Sequence, residues 1–173
     1  MNYWVITDTH FNHTRMIELC GRPADFEDRI LKSLGNCVQD DDVLIHLGDI
    51  CWGDDEKWHG ILNSTVRGKK WLIRGNHDSK SSSWYLDHGW DFVGSLMAME
   101  VFGHSIAFSH KPTKDIGYSI NIHGHFHNTD HRNHEPELVA IKNEKQMLIA
   151  LEWVDYQTQK LKTLIDKWNN EHN

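Results

Sequence analysis

Asp42-Val-Leu-Ile-His-Leu-Gly-Asp49 is an aliphatic, β-branched run that stops at a glycine and a carboxylate, the pattern of a buried strand with a polar group at its C-terminal end. Tyr3 to Thr7 has the same make-up and stops at Asp8, and Lys70-Trp-Leu-Ile-Arg-Gly-Asn76 repeats the design. Between these runs Phe26, Ile30, Leu31 and Leu34 recur at helical spacing, as do Trp58, Ile61 and Leu62. The order β, α, β, α, β predicts right-handed crossovers and a largely parallel sheet, whose strand ends share one edge.

The second half changes character. Leu96 to Phe102, Gly103 as a turn and Ser105 to Ser109 read as a hairpin, with strand candidates following at Ser119 to Ile122, Leu138 to Ile141 and Gln146 to Glu152. This predicts a second, more antiparallel sheet packed on the first. Leu161, Leu164, Ile165 and Trp168 give a closing amphipathic helix. No repeat or linker divides the chain, so residues 1–173 read as a single α/β domain, a two-sheet mixed β-sandwich flanked by helices.

The chain has 173 residues, enough to bury a full core and hold a rigid site on it. It has no stretch of eighteen or more apolar residues, and MNYWVITD lacks the basic segment and long apolar run of a signal peptide. Cys20, Cys37 and Cys51 are odd in number and have no CxxC spacing, which argues against a disulfide framework and a thiolate zinc site. No membrane partner and a reducing cytoplasm are therefore expected. The net charge is -7, with no basic run beyond Lys69-Lys70, so long nucleic acid is not an expected partner. Nothing in the sequence specifies an oligomeric state.

The chemistry lies where the strands stop. Asp8-Thr-His10 can face one ion as the chain leaves its strand, and a carboxylate with an imidazole suits Mn, Fe, Ni, Co or Zn better than Ca or Mg. Asp49 has two carboxylate oxygens and can bridge two cations. In Gly75-Asn76-His77-Asp78 the glycine permits a sharp turn, Asn76 offers an amide oxygen, and His77 remains as an imidazole for proton transfer. Gly124-His125-Phe126-His127 puts two imidazoles on one side, and His110 follows Ala107-Phe-Ser. Asp8, His10, Asp49, Asn76, His110, His125 and His127 are ligands by type, and five independent turns end with such residues. His131 and His134 read as solvated loop residues.

This combination resembles the calcineurin-like metallophosphoesterase superfamily, whose ordered motifs are Asp-x-His, Gly-Asp, Gly-Asn-His-(Asp/Glu), His and Gly-His-x-His. The match spans residues 5 to 127. DTHFNH, the later GRP and the tail ALEWVDY look like a small-protein phosphoesterase branch, which extends the resemblance over nearly the whole chain. The resemblance implies that Asp8, His10, Asp49 and His127 hold one metal, while Asp49, Asn76, His110 and His125 hold the other. It also implies the two-sheet fold flanked by helices. One position departs: three residues after Asp49, where many relatives carry an Asp or His supporting the catalytic histidine, this chain has Trp52, leaving Asp78 or Asp54 as partner of His77.

Two divalent transition-metal ions are expected, with Mn heading a list that includes Fe, Ni, Co and Zn. Cations about 3.5 to 4 Å apart lower the pKa of a shared water, and the resulting hydroxide attacks phosphorus in line. His77 is the expected catalytic residue, donating to a phosphoryl oxygen or to the leaving alkoxide. Asn76, His13 and Arg22 are the expected substrate contacts; His13 could instead cap the following helix and Arg22 form a surface ion pair. The expected substrate is a small phosphodiester. The alternatives are a phosphomonoesterase and a non-catalytic protein-binding scaffold clipped by metals. A mononuclear iron centre on Asp8, His10 and one distant histidine would leave Asp49, Asn76 and two histidines without a role.

Overall fold

The computed structural model describes residues 1–114, 117–129, 135–141 and 143–172. Strands β1 (Tyr3–Ile6), β2 (Val43–His46), β3 (Lys69–Ile73) and β4 (Phe92–Gly94) pair in parallel, and β9 (Gln159–Lys160) runs antiparallel to β1, giving the order β4-β3-β2-β1-β9. The crossovers carry α1 (Met16–Cys20) and α2 (Phe26–Cys37) after β1, α3 (Asp55–Thr65) after β2 and α4 (Ser82–Asp87) after β3. The second sheet has the order β5-β6-β7-β8, from β5 (Leu96–Val101), β6 (His104–Ser109), β7 (Ile120–His123) and β8 (Gln146–Leu148).

Alternation along each strand divides the apolar side chains between two cores. Val5, Val43, Ile45 and Ile73 meet Ile106, Phe108, Ile120 and Ile122 of the second sheet, and Leu161 and Ile165 of α6 (Leu161–His172) close this inter-sheet core. Ile6, Leu44 and Leu72 point the other way, onto Phe26, Ile30 and Leu34 of α2, Trp58 and Leu62 of α3 and Tyr85 of α4. The two-sheet mixed sandwich flanked by helices is therefore the observed architecture.

Three local expectations are corrected. The second sheet is antiparallel only at the β5–β6 hairpin, where Phe102 and Gly103 both take positive φ; β6–β7 and β7–β8 are parallel. Leu138 to Ile141 is not a strand: α5 (Pro136–Val139) occupies that stretch, with proline at the helix start, where its lost N–H has no intrahelical use. The expected strand from Gln146 to Glu152 ends at Leu148, and Leu151–Trp153 forms a 3-10 turn. The reading of His131 and His134 lies outside the described residues.

Candidate metal centre

Parallel pairing aligns the C-terminal ends of β1, β2 and β3, and likewise of β6 and β7, so that all the ligand-bearing turns face one edge. The turns are tight. Asp8, His10, Asp49, His125 and His127 all have positive φ, between 47° and 72°, a conformation costing a non-glycine residue roughly 1 kcal/mol or more. Cross-loop hydrogen bonds hold it: Asp8 N to Gly48 O (2.9 Å), His10 N to Asp49 O (3.0 Å), His77 N to Asp49 Oδ1 (2.9 Å) and His125 N to Asp8 Oδ2 (2.9 Å). Two glycines permit the closeness. A Cβ on Gly75 would lie 2.1 Å from Asp49 Oδ1, and one on Gly124 would lie 2.2 Å from Asp8 Oδ2.

Asp8, His10 and His127 offer ligand atoms within 4.8 Å of one another, and so do Asp49, His110 and His125. Asp49 Oδ2 stands between the sets, 3.7 Å from His10 Nε2 and 3.4 Å from His110 Nε2. Asn76 Oδ1 joins the second set, 3.0 Å from His110 Nε2. Asp8 Oδ1 is buried without a hydrogen-bond partner, with His127 Nε2 at 3.7 Å and His10 Nε2 at 3.9 Å.

The tautomers follow from the outer partners. His110 Nδ1 lies 2.8 Å from Leu47 O, and a carbonyl only accepts, so Nδ1 carries a proton and Nε2 turns toward Asn76 and Asp49. His127 Nδ1 meets Glu152 Oε1 at 3.3 Å, which turns Nε2 toward Asp8. His125 Nε2 meets Glu135 Oε2, while its Nδ1 faces His110 Nε2 at 3.2 Å. Each arrangement is the carboxylate–histidine or carbonyl–histidine relay that orients metal-bound imidazoles. A buried group of acceptors facing one another is costly unless a cation or proton lies between them. The electrostatics agree: burial lowers the pKa of His10 to about 3 and keeps it neutral, whereas the hydrogen bond to Asp49 and the charge of Asp8 overcome burial and push His110 up to about 9. Asp8 is buried, yet His127, His110 and His10 hold its carboxyl well below the usual range. The residues present therefore fit two divalent cations sharing Asp49.

Around the sets lies a cavity of about 270 Å³ lined by His10, His13, Met16, Leu19, Cys20, Asp49, Asn76, His77, His125, His127 and Glu135. His77 is at its mouth, its side chain 35% exposed and its Nε2 3.8 Å from Asp49 Oδ2. Neither expected partner supports it. Asp78 is buried and accepts backbone N–H groups from Asp49 (2.9 Å), Ile50 (3.1 Å) and Gly75 (2.7 Å), tying together the turns after β2 and β3, while Asp54 is exposed ahead of α3. The ring of His77 instead lies beside Trp52, centroids 5.0 Å apart.

His13 borders the cavity as expected, but Arg22 requires correction. It is 2% exposed, neither on the surface nor among the lining residues. Its guanidinium donates to Thr9 O (2.9 Å), Asp8 O (2.8 Å) and Glu152 Oε1 (2.9 Å), beneath the first ligand set. The geometry makes it a brace for the strained Asp8–His10 turn. Glu152, which orients His127, and Glu135, which orients His125, escape sequence reasoning because neither stands at a spacing or in a motif that marks it as the partner of a histidine. His46 likewise goes unseen: Gly48 N donates to its Nδ1 (3.1 Å), and its Nε2 meets Thr9 Oγ1 (3.1 Å), joining the first two turns.

A family model described as calcineurin-like phosphoesterase matches residues 1–171. The uncharacterized protein MJ1445 of Methanocaldococcus jannaschii is 28% identical, over 94% of this chain and 88% of its own length. The gene 66 protein of Mycobacterium phage L5 is 34% identical, over 44% of this chain and 40% of its own. Among solved structures, the protein of unknown function AQ665 from Aquifex aeolicus superposes with a TM-score of 0.74 at 26% identity, covering 96% of this chain and 98% of that one.

Proposed function

The chain belongs to the calcineurin-like phosphoesterase family, and from that premise we propose that it hydrolyses small phosphodiesters at a dinuclear centre, with Asp8, His10, Asp49 and His127 holding one ion and Asp49, Asn76, His110 and His125 the other. The observation that carries this reading is the convergence of two compact groups of buried ligand atoms on Asp49 Oδ2, which lies 3.7 Å from His10 Nε2 and 3.4 Å from His110 Nε2, with Asp8 Oδ1 buried and unpartnered beside the first. Divalent cations at those points supply Lewis acidity, activating water and neutralising charge at phosphorus.

The chain's own groups do the rest. Asp49 Oδ1 fixes the His77 backbone, so the imidazole is presented at the mouth of the cavity rather than drawn into a ligand set. From there His77 Nε2 donates its proton to a phosphoryl oxygen or to the departing alkoxide. Asn76 holds a ligand oxygen inward and, one residue along, positions His77 outward. Arg22 and Glu152 keep Asp8 and His127 aimed at one point throughout.

The wall composition favours the diester. Among the described residues no lysine or arginine lines the cavity, Glu135 adds a carboxylate, and Met16, Leu19 and Cys20 contribute apolar lining. A terminal phosphate dianion would find no fixed cation beyond the metals, whereas a diester monoanion needs none and its second organic group suits the apolar lining. Mixed carboxylate and imidazole sets suit Mn, Fe, Ni, Co and Zn, and of these we take Mn as the leading ion. The test is to compare turnover of an aryl diester and the matching aryl monoester across these ions. We expect the diester to be preferred; a preferred monoester, or no turnover with any ion, contradicts the reading.

A further inference from the structure

Trp52 is 49% exposed and belongs to neither core, although large apolar side chains are ordinarily placed where they pack. Its position is nonetheless fixed. The backbone N–H donates to Phe11 O (2.8 Å), Asn12 Nδ2 donates to Trp52 O (2.9 Å), and the indole stacks on the His13 ring with centroids 4.5 Å apart and planes 15° from parallel. The same indole lies 5.0 Å from the ring of His77. A rigid, half-open aromatic surface therefore sits within one substituent's reach of the point where His77 meets phosphate. Leu19, itself 38% exposed, adds apolar surface to the cavity lining.

We propose that Trp52, backed by His13, is the specificity surface of the site and stacks on a planar aromatic group carried by the substrate, as in a nucleoside or aryl ester of phosphate. This rests on the phosphodiester reading above. An aliphatic group has no face to match the indole, while a nucleobase or aryl ring does, and stacking of that kind tolerates any base. Among the described lining residues, Met16, Leu19 and Cys20 favour an organic group held by its apolar surface.

The experiment follows by calorimetry the binding of methyl(phenyl)phosphinate and dimethylphosphinate to the Mn-loaded protein; both are monoanions like a phosphodiester, and hydrolysis does not touch their carbon–phosphorus bonds. The wild-type chain should prefer the phenyl compound by about tenfold, the scale of one aromatic stack. Trp52→Ala should bring that ratio toward one, and Trp52→Phe should keep most of it. A ratio unchanged in Trp52→Ala, or no preference in the wild type, overturns the proposal while leaving the phosphoester site intact. If neither phosphinate binds although the metals are loaded, the phosphodiester reading itself fails, and this proposal with it.

Discussion

At the strand-end edge, His110 and His127 give their Nδ1 protons to Leu47 O and Glu152, so the other ring nitrogen of each faces its ligand set, where a cation can take the place of a proton. Beside α3 the chain holds a second buried group, Cys51, Asp55 and His59, whose ligand atoms also lie within 4.8 Å of one another. There the outer partner is reversed. Trp90 Nε1, a donor only, gives its proton to His59 Nδ1 (2.9 Å), so the neutral ring must carry its own proton on Nε2. Burial holds the His59 pKa down to about 4, so the ring is neutral near pH 7 and its Nε2, buried without a hydrogen-bond partner, carries a proton rather than a lone pair. Two clusters of similar composition and compactness thus differ in what their hydrogen-bond partners make of the histidines. Ligand type and proximity do not by themselves make a metal site; the direction of the lone pair does.

The largest effect should come from the residue both edge sets share. Asp49→Asn replaces the bridging carboxylate with one neutral oxygen and one amide, and turnover of an aryl diester should fall by more than about 10⁴-fold, with weakened binding of both ions by elemental analysis. Retention of two tightly held ions would show that Asp49 is not the bridge.

His77→Ala should lower turnover by about 10²- to 10⁴-fold, the usual worth of general acid catalysis, while both ions and the fold persist. Loss of an ion would make His77 a ligand. A smaller change, confined to one set, is expected on removing an outer partner. Glu152→Gln keeps the shape but weakens the acceptor for His127 Nδ1, and should reduce affinity for one ion by about 10- to 100-fold while leaving the other in place. Equal loss of both ions would mean that Glu152 supports the fold rather than the first set.

The smallest effect belongs to the contrasting cluster. Cys51→Ser removes the thiol beside His59 with almost no change of shape, and the metal content should stay as in the wild type. A lost ion would overturn the tautomer argument and make that cluster a site.

The parts of this arrangement legible in the sequence are those that local pattern dictates. Val43 to His46 and Lys69 to Ile73 announce strands because they are short apolar runs ended by glycine, and a ligand-type residue at the end of a parallel strand must lie on the common edge. Leu138 to Ile141 was ambiguous in principle, since four apolar residues in a row have no period to separate helix from strand, and Pro136 decided it. Arg22 and Glu152 are 130 residues apart, and a polar pair at that distance leaves no mark in either segment. The turn around Trp52 also hides its use: the tryptophan is visible in the sequence, but only the fold shows it stacked on His13 next to His77.

The central claim is that the strand-end acceptors hold two ions through Asp49 Oδ2. Its most direct test is the metal content of the wild-type chain reconstituted with Mn, by elemental analysis, together with the magnetic resonance signature of spin-coupled ions. Two ions per chain with a coupled signal is the predicted result. A single, fully occupied and magnetically isolated ion would contradict the shared-carboxylate centre.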